Sequence, residues 1–196
     1  MPSPALSPLL ADIRACTLCS VHLPLGPRPV VQAHRDARIL LAGQAPGRRV
    51  HATGLPFNDP SGDRLRMWLG VDRDTFYNPR RFAIVPMGFC YPGTGKAGDF
   101  PPRPECAATW HGRLIPALRK LELTLAIGRY AIDYHMPGRK GTLTDIVRAS
   151  DFTRDAVLAL PHPSPRNLMW LRRNAWFEAD YIPILRARVA RILGST

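Results

Sequence analysis

Four short apolar runs recur along the chain, each closing on glycine or proline: Ala37-Arg-Ile-Leu-Leu-Ala-Gly43, Phe82-Ala-Ile-Val-Pro86, Leu123-Thr-Leu-Ala-Ile-Gly128 and Ala156-Val-Leu-Ala-Leu-Pro161. Runs of this length bounded by turn residues read as buried strands. Between them lie helical patterns at residues 5–15, 61–69 (with Ser61 as candidate N-cap), 107–121 and 168–193. Strands alternating with helices predict a three-layer α/β/α fold around a central, mostly parallel four-stranded sheet. The chain has 196 residues, 45% of them hydrophobic. That suits one domain, 1–196, with a real core. The stretch 91–105, dense in glycine and proline, is expected to be a long loop.

In a parallel sheet, ligand-binding groups gather outside the carboxyl ends of the strands. Two loops there carry unusual chemistry. Gly43-Gln44-Ala45-Pro46-Gly47 follows the first run, a tight loop whose glycines let backbone amides approach a ligand. Downstream, Gly54-Leu-Pro-Phe57 delivers an aromatic ring. The other loop, His162-Pro163-Ser164-Pro165-Arg166-Asn167, leaves the last run, and its two prolines stiffen the backbone around the histidine. Each piece alone is also what an ordinary turn, a core phenylalanine or a surface histidine would look like.

Taken together and in this order, the motifs resemble motifs one and two of the uracil-DNA glycosylase superfamily. The likeness runs from Cys16 to Asn167 and is nearest to the iron–sulfur branches. It implies a glycosylase that hydrolyses the N-glycosidic bond of uracil, or another deaminated base, flipped out of DNA. It further implies that His162 stabilises the departing base, that backbone at Gly43, Gln44 and Ala45 holds the pyrimidine edge, and that Phe57 stacks on its face. The loop from Pro163 through Ser164, Pro165, Arg166 and Asn167 would engage DNA. The requirement for aimed donors fits the chemistry, because bond cleavage leaves negative charge on the base.

Several positions depart from the family pattern. The best-known branch has a water-activating aspartate third in motif one, where this chain has Ala45, and a methyl-excluding tyrosine where it has Gly47. Another branch places an aspartate just beyond the stacking phenylalanine, and Asp59 lies near that place, as base or cation stabiliser. A helix-turn residue would occupy the same position. His51 is a second candidate for positioning water. The asparagine that pairs with uracil falls in a stretch that here reads Val85-Pro-Met-Gly-Phe89, without an amide. Asn58, on the other loop, is the substitute considered.

Cys16, Cys19, Cys90 and Cys106 are all the cysteines present. A Cys-x-x-Cys pair plus two distant thiols can complete four metal ligands, zinc or iron–sulfur; unrelated buried thiols are the alternative. The resemblance favours a [4Fe–4S] cluster with a structural role. Apart from Lys96, Lys120 and Lys140, the 27 basic residues are arginines, and the net charge is +12. This suits a polyanionic partner such as DNA, although a GC-rich genome would give the same bias. No apolar run nears the ~20 residues that span a bilayer, and the N-terminus is unlike a secretion signal. A cytoplasmic monomer is expected. Two rival classes remain: a DNA-binding module that kept the fold without excising, which the missing asparagine and aspartate favour, and an enzyme for another N-glycoside.

Overall fold

The computed structural model describes residues 5–96 and 98–194; residues 1–4 of the N-terminal stretch read above lie outside them. In chain order, helix α1 (Leu6–Arg14) precedes strand β1 (Ile39–Ala42), then helices α2 (Arg48–Thr53), α3 (Pro60–Leu69) and α4 (Arg73–Tyr77) lead to β2 (Phe82–Ile84). A two-stranded hairpin, β3 (Thr94–Gly95) and β4 (Gly98–Asp99), is followed by α5 (Pro104–Leu114) and β5 (Leu123–Ile127). Helices α6 (Arg129–His135) and α7 (Leu143–Arg148) cross over to β6 (Val157–Leu160), and α8 (Leu168–Arg173) and α9 (Ile182–Leu193) close the chain.

The sheet is all parallel in the order β2-β1-β5-β6. Successive strand side chains point to opposite faces, so β1 feeds two cores. Ile39 and Leu41 pack with Leu65, Trp68 and Leu69 of α3 and Leu185 and Val189 of α9. Leu40 packs on the other face with Leu9, Leu10 and Ile13 of α1 and Trp110 and Leu114 of α5. Both faces are therefore covered, as a parallel sheet requires. Each large apolar side chain withdrawn from water contributes about 1.5–3 kcal/mol. None of the helices among the described residues is long and apolar enough to cross a membrane.

Three expectations shift. The N-cap of α3 is Asp59, not Ser61: the Asp59 carboxylate accepts the Gly62 N–H at 2.9 Å, with Pro60 at the first helical position. Proline there loses no hydrogen bond and presets the helical φ. The helix expected over 107–121 starts earlier, on Pro104, and gives way to a 3₁₀ turn at Ile115–Ala117, where Pro116 has no N–H to continue the ladder. The glycine-rich stretch contains the β3–β4 hairpin, whose Gly93 and Gly95 leave room for the Phe100 ring.

The turn before α3 is strained. Phe57, at φ 53°, is the sole non-glycine with positive φ among the described residues, a conformation that costs a bulky residue about 1–3 kcal/mol. It is held by its surroundings. Tyr77 Oη donates to Pro56 O at 3.0 Å, and the Phe57 ring meets Phe76 edge-on at 6.2 Å. The Phe57 carbonyl lies where a Cβ on Gly62 would sit, 1.8 Å away. Gly62→Ala is thus expected to cost more than about 2 kcal/mol, since neither backbone can yield without rebuilding the turn. Urea denaturation of the variant checks this.

Candidate active site

In open parallel sheets, ligands bind in the crevice where strand order reverses. Here the reversal lies between β1 and β5, and an open cleft of about 680 Å³ occupies that rim. All four strand ends feed it: Gly43–Gly47 after β1, Ile84 and Pro86 from β2 onward, Gly128–Tyr130 after β5, and His162 with Ser164–Asn167 after β6. Pro56, Phe57, Asp59, Gly98 and Asp99 complete the wall.

Motif one is fastened to the floor by its carbonyls. Gly43 O accepts the Met87 N–H and Gln44 O the Gly88 N–H, both at 2.9 Å. The Gln44 side chain turns away and donates to Phe100 O at 3.0 Å. The Phe57 ring tip rests at Gly43, where an added Cβ would meet Cζ at 3.4 Å.

Motif two is braced from inside. Nδ1 of His162 accepts the Ser164 N–H at 3.2 Å, so the neutral imidazole carries its proton on Nε2. Burial holds the His162 pKa below its ordinary value, against an opposing pull from the Asp59 and Asp99 carboxylates. The result is a neutral Nε2–H donor at physiological pH. Ser164 Oγ accepts the Arg166 N–H at 3.2 Å and Asn167 Nδ2 donates to His162 O at 3.1 Å. These two side chains lock the loop. Arg64 Nη1 adds a bond to Pro163 O at 3.3 Å. Arg166 is exposed and reaches over the hairpin, with Nη1 2.5 Å from where a Cβ on Gly98 would stand.

Two expected residues are not brought into the cleft. His51 is buried in α2 with its ring 6.0 Å from Tyr91 and its Nδ1 without a partner, and burial, helped by Arg28, lowers its pKa. The Asn58 side chain accepts from Arg73 Nη2 at 3.2 Å. Asp59 does line the cleft, while also serving as helix cap.

Sequence reasoning missed other residues of the wall. Arg129 and Tyr130 were findable, because they follow a predicted strand as the two motifs do. Asp99 carried one weak signal, as the sole acid between Tyr91 and Pro104. Beneath the floor, His111 is fully buried, stacks on Phe89 at 5.5 Å and meets Pro86 O at 3.0 Å. Since that carbonyl only accepts, His111 Nε2 holds the proton.

The four cysteines line a second cavity with Arg103 and Trp110, on the α1–α5 side of the sheet. Phe89 N–H donates to Cys106 Sγ at 3.3 Å, and the Arg28 backbone N–H and the Arg103 side chain bond Cys90 and Cys19. Burial pushes the free Cys90 thiol up to about 11 and that of Cys106 to about 12. Among the described residues, no three Cys, His, Asp or Glu side chains are grouped to hold a metal ion.

A family model described as the uracil DNA glycosylase superfamily matches residues 30–186. The Type-4 uracil-DNA glycosylase of Thermotoga maritima is 26% identical over 139 residues, covering 68% of this chain and 67% of that protein. The solution NMR structure of a candidate uracil DNA glycosylase from Methanosarcina acetivorans superposes with a TM-score of 0.47 at 18% identity, covering 79% of this chain and 92% of that one.

The two duties of Asp59 can be separated. Asparagine caps helices as well as aspartate does, so Asp59→Asn should hold stability within about 0.5 kcal/mol, whereas Asp59→Ala should lose about 1 kcal/mol. Denaturation midpoints of the two variants decide whether the cap accounts for this side chain's structural role.

Proposed function

Because the chain belongs to the uracil DNA glycosylase superfamily, we propose that it hydrolyses the N-glycosidic bond of uracil flipped out of DNA and leaves an abasic site. The observation that carries this reading is the neutral His162, its Nδ1 occupied by the Ser164 N–H, at the wall of a cleft that also holds Phe57. The base leaves the duplex at a cost of a few kcal/mol and enters between the Phe57 face and the backbone of Gly43, Gln44 and Ala45. As the bond breaks, charge accumulates on the base oxygens. A preorganised Nε2–H at that point stabilises the transition state more than the ground state. Asp59, which lines the same cleft as His162, balances positive charge on the sugar.

Arg48, Arg49, Arg129 and Arg166 ring the cleft and suit phosphate contacts, with Arg166 positioned to enter the gap that the flipped base leaves. The floor stretch Val85-Pro-Met-Gly-Phe89 offers no side-chain amide to read uracil, and Gln44 and Asn167, the amides that line the cleft, donate to Phe100 O and His162 O. Other deaminated bases are therefore substrates to test. A non-excising DNA-binding module is the second reading, favoured by Ala45 and by the missing amide.

Cys16, Cys19, Cys90 and Cys106, which line one cavity, are the residues proposed to hold a [4Fe–4S] cluster. Four thiols surround one space and N–H groups point at sulfur. A bound cluster supplies a cross-link between the N-terminal segment and the chain on either side of the hairpin. Thiolate ligation suits the reducing cytoplasm.

Two measurements test these readings. In single-turnover excision from uracil-, hypoxanthine- and xanthine-containing oligonucleotides, His162→Ala should slow release of the preferred base by ~100-fold or more, with DNA affinity little changed. Since the histidine acts neutral and its pKa is depressed, the wild-type rate should persist as pH falls through the ordinary histidine range of about 6.5. No excision of any base by the wild type would favour the binding module. For the cluster, anaerobically purified protein should contain iron and sulfide in equal amounts; one zinc per chain and no iron would replace the cluster with zinc.

A further inference from the structure

We propose that Asp99, from the hairpin between Cys90 and Cys106, supplies the carboxylate that activates water, the task left open by Ala45 in motif one. The inference rests on the glycosylase reading above and assigns that site a further catalytic residue.

Three observations converge on Asp99. It lines the cleft together with His162, Phe57 and the whole of motif one. Its charge is felt at His162, where it opposes the effect of burial. Its Oδ2 lies 3.6 Å from where a Cβ on Gly47 would stand. That is contact distance, so the carboxylate sits directly beside motif one.

The carboxylate is also held in place. Thr94 Oγ1 donates to Asp99 Oδ1, and Tyr91 Oη bonds the same hydroxyl at 2.6 Å. Thr94 pairs with Asp99 across the hairpin. The next residue is tied on both sides, since Phe100 N–H donates to Gly93 O at 2.9 Å and Phe100 O accepts from the Gln44 side chain at 3.0 Å. One oxygen is thus anchored and the other faces the cleft. Asp59 also lines the cleft with one oxygen held, but its Oδ1 takes the Gly62 N–H as a helix cap, a structural duty that Asp99 does not carry.

The chemistry balances without a further reactant. The C1′–N bond breaks and its electron pair leaves with the base, whose oxygen is met by the His162 Nε2–H. Water oxygen forms the new bond to C1′, keeps one hydrogen as the sugar hydroxyl and gives the other to Asp99 Oδ2. That proton passes through solvent to the departed base anion, which restores the carboxylate and leaves a neutral base and an abasic sugar.

The test compares wild type, Asp99→Asn, Asp99→Ala and Thr94→Val in single-turnover excision, with affinity for an abasic duplex measured in parallel. Loss of a general base predicts a ~100-fold or greater fall for both Asp99 variants, with unchanged affinity and unchanged denaturation midpoint. Thr94→Val, which frees Oδ1, should fall less. Added formate should restore part of the rate to Asp99→Ala and none to Asp99→Asn, because only the truncated side chain leaves room for a carboxylate. A structural role would show no such rescue. An active wild type with Asp99→Asn at the same rate overturns the assignment and leaves the glycosylase reading standing. So does a fall without rescue that tracks lost DNA affinity. A wild type that excises no base overturns both.

Discussion

The constraint on which the molecule depends is the burial of both faces of a four-stranded parallel sheet. Leu40 faces the α1–α5 layer while Ile39 and Leu41 face α3 and α9, so no strand has a wet side on which polar chemistry could sit. Reactive groups are left with the strand ends. The order β2-β1-β5-β6 then opens a crevice between β1 and β5, and the two motif loops reach one cleft because their strands are parallel, although residues 43 and 162 are far apart in sequence.

Within that cleft, rigidity has a traceable source. Phe57 is held left-handed because its carbonyl uses the space at Gly62. Gly62 is in turn the residue whose N–H the Asp59 cap takes. The cap, the glycine and the strained phenylalanine form one device, and strain of this kind persists only where neighbours over-determine it. His162 is fixed differently, by Ser164 at its Nδ1 and by Asn167 at its carbonyl. Ser164 and Asn167, which the sequence suggests for DNA contact, thus brace the histidine loop, Ser164 through its backbone N–H and Asn167 through its amide.

The strands were legible because short apolar runs closed by glycine or proline have few other uses, and all four lie where the pattern puts them. The two rim loops followed from the strands. The cap of α3 was in fact locally legible, because Pro60 suits the first helical position and so points to Asp59 rather than Ser61 as the residue before it. Less legible were contacts that depend on tertiary approach. Nothing local shows that His51 turns toward Tyr91 or that Asn58 meets Arg73. The hairpin escaped notice because two-residue strands carry no period, and with it went Asp99.

The segment from Val85 to Cys106 joins the two sites. Its first residues form the cleft floor, with Met87 and Gly88 bonded to motif one and His111 beneath Pro86. Cys90 and Cys106 bracket the hairpin and line the cysteine cavity, while Asp99 at the hairpin's end lines the cleft. Phe89 touches both, since its N–H meets Cys106 Sγ and its ring stacks on His111. A group that ties Cys90 to Cys106 would therefore fix the two ends of the excursion that carries Asp99. Loop-closure entropy grows only slowly with length, so a cross-link at the base of the fifteen-residue excursion 91–105 restrains it at modest cost. On this argument a structural cluster would act on chemistry it never touches, by limiting where one carboxylate can go.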